Sequence, residues 1–278
     1  MTEPRVILDG LAYVESPRWH DGRLWFAHWG TDEIVAVDAD GHSKVMAHGA
    51  GGLGWCLDWL PDGRLLTTGA ALSRVKADGS LVPHVDLSSI TEGWNEVIVD
   101  GRGNAYVNGD MFGPPDQPRG KIVLVTPDGD IRLLADGLAF PNGMAITPDN
   151  RTLIVGESWA DRLTAFDIAD DGTLANRRVW AETPGDHPDG ICIDGDGAVW
   201  YADVGGQHCV RIREGGEVLQ TVQLDRGAFA CMLGGPERRT LFILAAEWGG
   251  FEHVPELVAK RTGQVLALEA PAPGVGWP

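Results

Sequence analysis

Short apolar runs alternate with Asp-Gly-like turns along almost the whole chain. A strand-like segment runs into a turn such as Asp21-Gly22 or Asp62-Gly63, and a second β-rich run follows. This is the sequence pattern of a β-hairpin. A further turn, for example Asp40-Gly41, follows in the first five repeats, so each repeat predicts about four strands. Helical periodicity is confined to a short stretch around residues 252–260.

The pattern occurs six times at intervals of 40, 40, 47, 47 and 41 residues. Its leading positions are Glu15, Trp55, Asn95, Asn142, Asp189 and Ala230. Four-stranded units that recur every 40-odd residues are typical of a β-propeller. The sequence therefore predicts an all-β fold, a six-bladed β-propeller that forms a single domain over residues 1–278.

The sixth repeat lacks the second turn, so its blade is short of an outermost strand. Residues 5–13 match residues 132–140 at a constant offset of 127, in the outer part of the third repeat. We therefore expect the N-terminal strand to pair with the last blade. Such pairing closes the ring and removes exposed sheet edges.

The formal net charge is −18, and no run of Lys or Arg interrupts the acidic surface. This charge argues against nucleic acid and anionic membranes as partners. The chain shows neither a signal-peptide pattern nor an apolar stretch of membrane-spanning length, which predicts a cytoplasmic protein. Its four cysteines lack metal-ligand spacing and are expected to be buried free thiols. The oligomeric state stays open.

The leading positions indicate a metal site, because the first strand of each propeller blade lines the central channel. Four of the six carry side-chain oxygens: Glu15, Asn95, Asn142 and Asp189. Two carboxylates in a confined channel repel each other unless a cation lies between them. All-oxygen ligation favours a hard divalent cation, Ca²⁺ first, then Mg²⁺ or Mn²⁺, with Zn²⁺ or Fe²⁺ less favoured. In the alternative interpretation, Asn142 and Asp189 only cap strand ends.

Four motifs, in order along the chain, resemble the senescence marker protein (regucalcin), gluconolactonase and luciferin-regenerating enzyme family. They are Glu15-Ser16-Pro17-Arg18-Trp19, Asn95 before Val97-Ile98-Val99-Asp100, Phe140-Pro141-Asn142-Gly143-Met144 and His187-Pro188-Asp189-Gly190-Ile191-Cys192-Ile193-Asp194. The resemblance covers essentially the whole chain and implies a six-bladed propeller with one channel metal that hydrolyses lactones or related esters. It implies Glu15, Asn142 and Asp189 as metal ligands, Asn95 as a further ligand or substrate contact, and Asp189 also as the proton-transfer group.

The chain departs from the sugar lactonases of that family beside Asn95. They have an Arg two residues before this Asn, where the chain has Gly93, and an Asp just after it, where the chain has Glu96. The Arg contacts substrate hydroxyls, so its loss argues against a plain sugar lactone. Besides Asn95, we expect a rather aromatic substrate pocket that includes Trp55, Trp94, Asp110, Met111, Phe140, Glu157, Trp159 and His187.

The sequence thus predicts a metal-dependent lactonase or esterase acting on a small-molecule lactone or ester. In this mechanism the cation polarises the carbonyl and activates water, while Asp189 accepts the proton and delivers it to the leaving alkoxide. Two alternatives stay open: a phosphotriesterase-like hydrolase, and a non-catalytic ligand-binding propeller with a structural metal. The sequence identifies neither the substrate nor the physiological ion.

Overall fold

The computed structural model describes residues 3–69, 71–90, 93–114 and 116–276. In these ranges the strands form six four-stranded sheets. The innermost strand of each sheet packs against the innermost strands of its two neighbours, so the sheets form a closed ring around a channel. The prediction of an all-β six-bladed propeller is confirmed.

The strands follow blade after blade along the chain, except for the first, β1 (Arg5–Leu11). Blade one contains β2 (Val14–His20), β3 (Arg23–His28), β4 (Glu33–Val37) and β5 (Ser43–His48). Blade two contains β6 (Leu57–Trp59), β7 (Leu65–Thr67), β8 (Leu72–Val75) and β9 (Leu81–Val85). Blade three contains β10 (Trp94–Val99), β11 (Ala105–Gly109), β12 (Gly120–Val125) and β13 (Ile131–Leu138).

Blade four contains β14 (Pro141–Ile146), β15 (Thr152–Glu157), β16 (Arg162–Ile168) and β17 (Leu174–Glu182). Blade five contains β18 (Pro188–Ile193), β19 (Val199–Asp203), β20 (His208–Ile212) and β21 (Val218–Gln223). Blade six contains β22 (Gly227–Gly234), β23 (Thr240–Ala246) and β24 (Gly263–Glu269). The helix α1 (Val254–Lys260) lies between β23 and β24, where the sequence predicted it. Within the described ranges, three 3-10 turns cover Trp29–Thr31, Ser158–Ala160 and Phe251–His253.

The turns form as their sequences predict. Between β2 and β3, His20 pairs with Arg23, which leaves a two-residue loop. Both loop residues have positive φ, 49° at Asp21 and 72° at Gly22. Two left-handed residues make a type I′ turn, whose twist matches that of the flanking strands.

The ring closes through the two ends of the chain. β1 is the outermost strand of blade six, in the order β1-β24-β23-β22. Its residues pair antiparallel with β24, with Arg5 opposite Ala267 and Leu11 opposite Gly263. The predicted closure by the N-terminal strand is confirmed.

The core is divided among the interfaces between blades. Six buried apolar clusters each lie between two neighbouring blades, as Ile98 and Met144 do between blades three and four. Sheets packed face to face need apolar side chains on both faces of the inner strands. The four cysteines are buried and unbridged, as predicted.

One end of the channel is covered by the C-terminal segment. Gly274 donates to the Arg238 carbonyl at 2.7 Å, and Val275 donates to the Ile193 carbonyl at 3.3 Å. Ile193 ends β18, so the first residues of the inner strands face the other end. In the described part of the chain, no helix has the length and apolar character needed to cross a membrane.

Candidate metal centre and substrate cavity

A cavity of about 290 Å³ opens where the inner strands begin. Its polar lining residues come from these strands or from the residue just before one of them: Glu15, Cys56, Asn95, Glu96, Asn142 and Asp189. Its apolar lining residues come from connecting segments at the same end: Tyr13, Trp29, Leu53, Met111, Phe112, Phe140, Phe251 and Val254. The cavity therefore has a polar floor built from strands and apolar walls built from loops.

The close approach of neighbouring inner strands explains why Gly follows two of the polar residues. A Cβ at Gly143 would lie 2.5 Å from the Asp189 carbonyl oxygen, and one at Gly190 would lie 2.4 Å from the Ala230 Cβ. Only Gly fits between strands this close. The Asn142-Gly143 and Asp189-Gly190 pairs therefore combine a polar side chain with close packing of the ring.

Irregular strand pairing accompanies three of the polar positions. The register shifts between Trp94 and Val97, between Pro141 and Met144, and between Pro188 and Ile191. A bulge of this kind changes the direction of the side chains within it. The shifts enclose Asn95, Asn142 and Asp189, which all reach the cavity.

Burial and neighbouring carboxylates destabilise the charged forms of Glu15 and Asp189 at the floor. Burial and, to a smaller extent, the Glu96 carboxylate raise the pKa of Glu15 to about 8. The hydrogen bond from the Ser16 N–H and the charge of Arg18 lower this pKa but do not outweigh the burial. Burial also raises the pKa of Asp189 well above its ordinary value, and the charge of Glu15 contributes next. Buried carboxylates that repel each other, together with two amide groups, match the donor set of a hard divalent cation. The residues present therefore fit such an ion.

Hydrogen bonds orient the Asn142 amide. Its Nδ2 lies 3.4 Å from the Ser158 Oγ, and its side chain also hydrogen-bonds to Asp189. The Ser158 hydroxyl in turn donates to the Pro188 carbonyl at 2.7 Å. These contacts use the N–H side of the amide, while the Asn142 Oδ1 lies 3.4 Å from the Asn95 Nδ2. The amide oxygen is thus turned toward the other floor residues.

A buried ionic network lies beneath Glu15 and Asn95. The Arg18 Nη2 donates to the Glu96 Oε1 and to the Val97 carbonyl, each at 2.8 Å, and the Arg18 Nε lies 3.7 Å from the Asp58 Oδ1. Asp58 accepts from the Val99 N–H at 2.7 Å. The network joins inner strands of blades one, two and three. It therefore holds the strands that carry two of the floor residues.

The structure brings six of the predicted site residues together at the cavity: Glu15, Asn95, Met111, Phe140, Asn142 and Asp189. Three others lie near this end of the channel without lining the cavity. Trp159 packs against Phe140 with ring centroids 4.8 Å apart. The exposed His187 Nδ1 lies 2.9 Å from the Asp161 Oδ1. Asp110 forms an ion pair with Lys121.

The remaining three predicted residues are buried away from the cavity. Trp55 and Trp94 lie in the apolar clusters on the two sides of blade two. The Glu157 carboxylate is buried, accepts from Thr164 at 2.5 Å and pairs with Arg162 at 3.0 Å. The hydrogen bond from Thr164 and the neighbouring arginines keep the pKa of Glu157 below its ordinary value, although burial opposes this.

Blade two differs from the repeat pattern by one residue. Cys56 rather than Trp55 lines the cavity between Glu15 and Asn95. Adjacent side chains of a strand point to opposite sides, so an offset of one residue exchanges channel and core. Sequence reasoning also left out Tyr13, Phe112 and Phe251 as lining residues. Tyr13 matches Phe140 in the alignment of residues 5–13 with residues 132–140, so that match could have identified it. Phe112 and Phe251 lie in connecting segments that carry no repeat signal.

Comparisons with known proteins agree with this architecture. The profile of the SMP-30/gluconolactonase/LRE-like region matches residues 13–247. The 6-deoxy-6-sulfogluconolactonase of Pseudomonas putida is 27% identical over 157 residues, which is 55% of this chain and 54% of that relative. The diisopropyl-fluorophosphatase of Loligo vulgaris is 27% identical over 172 residues, 56% of this chain and 55% of that relative. The matched regions thus span about half the length of these two relatives.

Solved structures show the same fold. The crystal structure of regucalcin from Agrobacterium tumefaciens, described as a calcium-binding protein, has a TM-score of 0.80 and 19% sequence identity, and covers 99% of this chain and 96% of that one. At this identity the similarity establishes the fold alone. It extends over both chains almost completely, so the similarity is not limited to a few blades.

Proposed function

Because the chain belongs to the SMP-30/gluconolactonase/LRE-like family, we propose that it is a metal-dependent hydrolase that opens a lactone or a related ester. One observation carries the proposal. Glu15, Asn95, Asn142 and Asp189, from four different blades, all line one cavity. The alternative role for Asn142 and Asp189, capping of strand ends, does not account for two buried carboxylates whose pKa values are raised together.

We assign the cation to these four side chains, with Ca²⁺ as the first candidate. Two carboxylates supply the charge and two amides supply neutral oxygens, which is an oxygen set suited to Ca²⁺. The calcium-binding description of the Agrobacterium relative supports this choice. When bound, the ion would polarise the substrate carbonyl and increase the acidity of a water molecule.

Asp189 is the residue to which we assign proton transfer. It lies on the cavity floor, and Asn142 hydrogen-bonds to it and so fixes its orientation. It would accept a proton from the attacking water and return it to the alkoxide that leaves when the ester bond breaks. Asn95 either completes the ion's ligands or contacts the substrate.

The surroundings of Asn95 support a substrate other than a plain sugar lactone. Gly93 stands where the related sugar lactonases have an Arg, and a Cβ added there would meet no heavy atom within 4 Å. The position therefore carries no side chain that could donate a hydrogen bond to substrate hydroxyl groups. Eight of the lining residues are apolar, which suits a less polar molecule.

Proton release from a panel of lactones and esters, with and without chelator, tests the proposal. We expect turnover that chelator abolishes and that one divalent cation restores, with Ca²⁺, Mg²⁺, Mn²⁺ and Zn²⁺ added back separately. Glu15→Gln and Asp189→Asn should each lose turnover and cation binding together. Asp128→Asn, on the exposed turn between β12 and β13, is the matched control and should retain both. Near-normal turnover of either site variant in chelator would refute the assignment.

A phosphotriesterase-like activity is the second candidate, because the Loligo relative is named for a fluorophosphate substrate. Its test is the same panel extended by a phosphotriester. Cation-dependent release of acid from the phosphotriester alone would favour this second function. Tight cation binding without turnover of any ester, lactone or phosphotriester would instead favour a ligand-binding propeller with a structural ion.

A further inference from the structure

We propose that the substrate carries an uncharged apolar arm, alkyl or aryl, that binds in an aromatic collar at the mouth of the cavity. The collar consists of Phe112, Phe140, Trp159, Trp248 and Phe251. The inference rests on the proposed function for the reaction itself. The binding of the arm, in contrast, is a property of the collar and can be measured without turnover.

The five rings form one continuous series of contacts. Phe112 lies in the middle, with ring centroids 5.4 Å from Phe140 and 5.9 Å from Phe251. The series extends from Phe140 to Trp159 at 4.8 Å, and from Phe251 to Trp248 at 5.3 Å. These residues come from blades three, four and six. The collar therefore extends along much of the rim and is held by contacts between rings rather than by one flexible loop.

Three of the five collar side chains are unusually exposed for their size. Phe112 is 62% exposed, Phe251 58% and Trp159 42%, and these are the exposed Phe and Trp side chains of the described residues. Phe112, Phe140 and Phe251 also line the cavity. An exposed cluster of large apolar side chains that borders a cavity indicates a binding surface. Packing alone would have buried these rings.

The charge of the cavity restricts the arm further. Among the described residues that line it, the charged ones are Glu15, Glu96 and Asp189, and none is Lys, Arg or His. An anionic substituent would find no cationic side chain to pair with there. The substrate is therefore neutral at its arm.

The chemical step is ordinary ester hydrolysis. The oxygen of one water molecule bonds to the acyl carbon, and the bond between that carbon and the ring oxygen breaks. One proton of the water passes to the leaving alkoxide, and at neutral pH the new carboxylic acid releases another. No oxidant or other co-reactant is needed.

Chain-length dependence tests the collar. The substrates are γ-butyrolactone and its γ-methyl, γ-propyl and γ-hexyl derivatives, with glucono-δ-lactone as the polyol comparator. Transfer of one methylene into an apolar site is worth about 0.8 kcal/mol, so kcat/KM should rise about threefold to fourfold per methylene. We expect Phe112→Ala and Phe251→Ala to reduce the γ-hexyl to γ-methyl ratio at least about tenfold. Leu133→Ala, an exposed apolar position on β13, is the matched control and should leave the ratio unchanged.

A ketone series separates the inference from the proposed function. In 3-alkylcyclopentanones a methylene replaces the ring oxygen of the γ-alkyl lactones, so they present the same arm but cannot be hydrolysed. Calorimetry should show affinity that rises with arm length, falls when the arm ends in a carboxylate, and depends on Phe112 and Phe251. Affinity that does not change with arm length, or that is the same in both Phe variants, would overturn the inference. Length-dependent ketone binding without hydrolysis of any lactone would support the collar and refute the proposed function.

Discussion

Replacing Glu15 with Gln should change the stability of the protein in opposite directions without and with a divalent cation. Without the ion, the Glu15 carboxylate is buried beside Glu96 and Asp189, and its pKa is raised to about 8. At a pH above this value the wild-type protein holds an uncompensated buried charge. The Gln side chain removes the charge while its amide oxygen can still accept from the Ser16 N–H, which lies 3.0 Å from the Glu15 Oε2.

The size of the effect follows from the pKa. A rise from 4.5 to about 8 corresponds to at most roughly 5 kcal/mol against the charged form. Water in the cavity screens part of this, so we expect Glu15→Gln to stabilise the cation-free protein by about 2 kcal/mol, or about 5 °C in Tm. At an ion concentration about 1,000 times Kd, the wild type should gain about 4.1 kcal/mol, and the variant less than about 1 kcal/mol.

Thermal unfolding followed by circular dichroism, in chelator and in saturating Ca²⁺, measures both effects. The wild type should melt below Glu15→Gln in chelator and above it in Ca²⁺. Glu217→Gln removes an exposed carboxylate on the turn before β21 and should follow the wild type in both conditions. If Glu15→Gln lowers Tm in chelator, or keeps the wild-type shift in Ca²⁺, Glu15 is not part of a cation site of this kind.

Three further outcomes follow from other parts of the molecule. In steady-state assays, Asp189→Asn should reduce kcat/KM for the best lactone about 10²–10⁴-fold because it removes the proton acceptor. A smaller loss would mean that another group transfers the proton. Deletion of residues 1–9 removes most of β1 and leaves β24 as an edge strand. The lost pairing and apolar contacts should lower the free energy of unfolding, measured in urea, by about 4 kcal/mol. An unchanged urea midpoint would contradict closure by this strand. Burial raises the pKa of Asp58 from 3.8 to about 7, against the Arg18 charge and the N–H groups of Val99 and Trp59. Between the ordinary pKa of 3.8 and about pH 7, the folded protein keeps a proton on Asp58 that the unfolded chain releases. The free energy of unfolding should therefore fall as pH rises through this range. Asp58→Asn should weaken this pH dependence of the urea midpoint, and parallel profiles for variant and wild type would argue against it.

Much of the fold is encoded locally. The Asp21-Gly22 turn forms as its sequence predicts, because its left-handed residues suit Asp and Gly. The match of residues 5–13 to the outer strand of the third repeat predicted the position of β1, since an unpaired edge is unfavourable in either blade. Repeats also show which positions are equivalent, so they placed Asn142 and Asp189 in one ring.

The pattern was less informative where blades depart from the repeat. Blade two differs by one residue, so Cys56 lines the cavity and Trp55 lies in the core. Trp94 precedes Asn95 in the sequence, and Glu157 pairs with Pro141 next to Asn142, yet both side chains lie in buried surroundings away from the cavity. Whether Asn95 binds the ion or the substrate stays a prediction.

Local patterns of apolar, polar and turn residues thus predicted the strands and hairpins, because each depends on neighbours within one repeat. The recurrence of the repeat along the chain predicted the number of blades and which side chains are equivalent. Tertiary structure decided which loops meet above the floor of the cavity. Phe112 and Phe251 are 139 positions apart in the sequence, and their rings lie 5.9 Å apart because blades three and six contribute loops to the same rim. The pairing of Arg18 with Glu96 and Asp58 likewise depends on closure of the ring. Such contacts join residues from different repeats, so no local pattern specifies them.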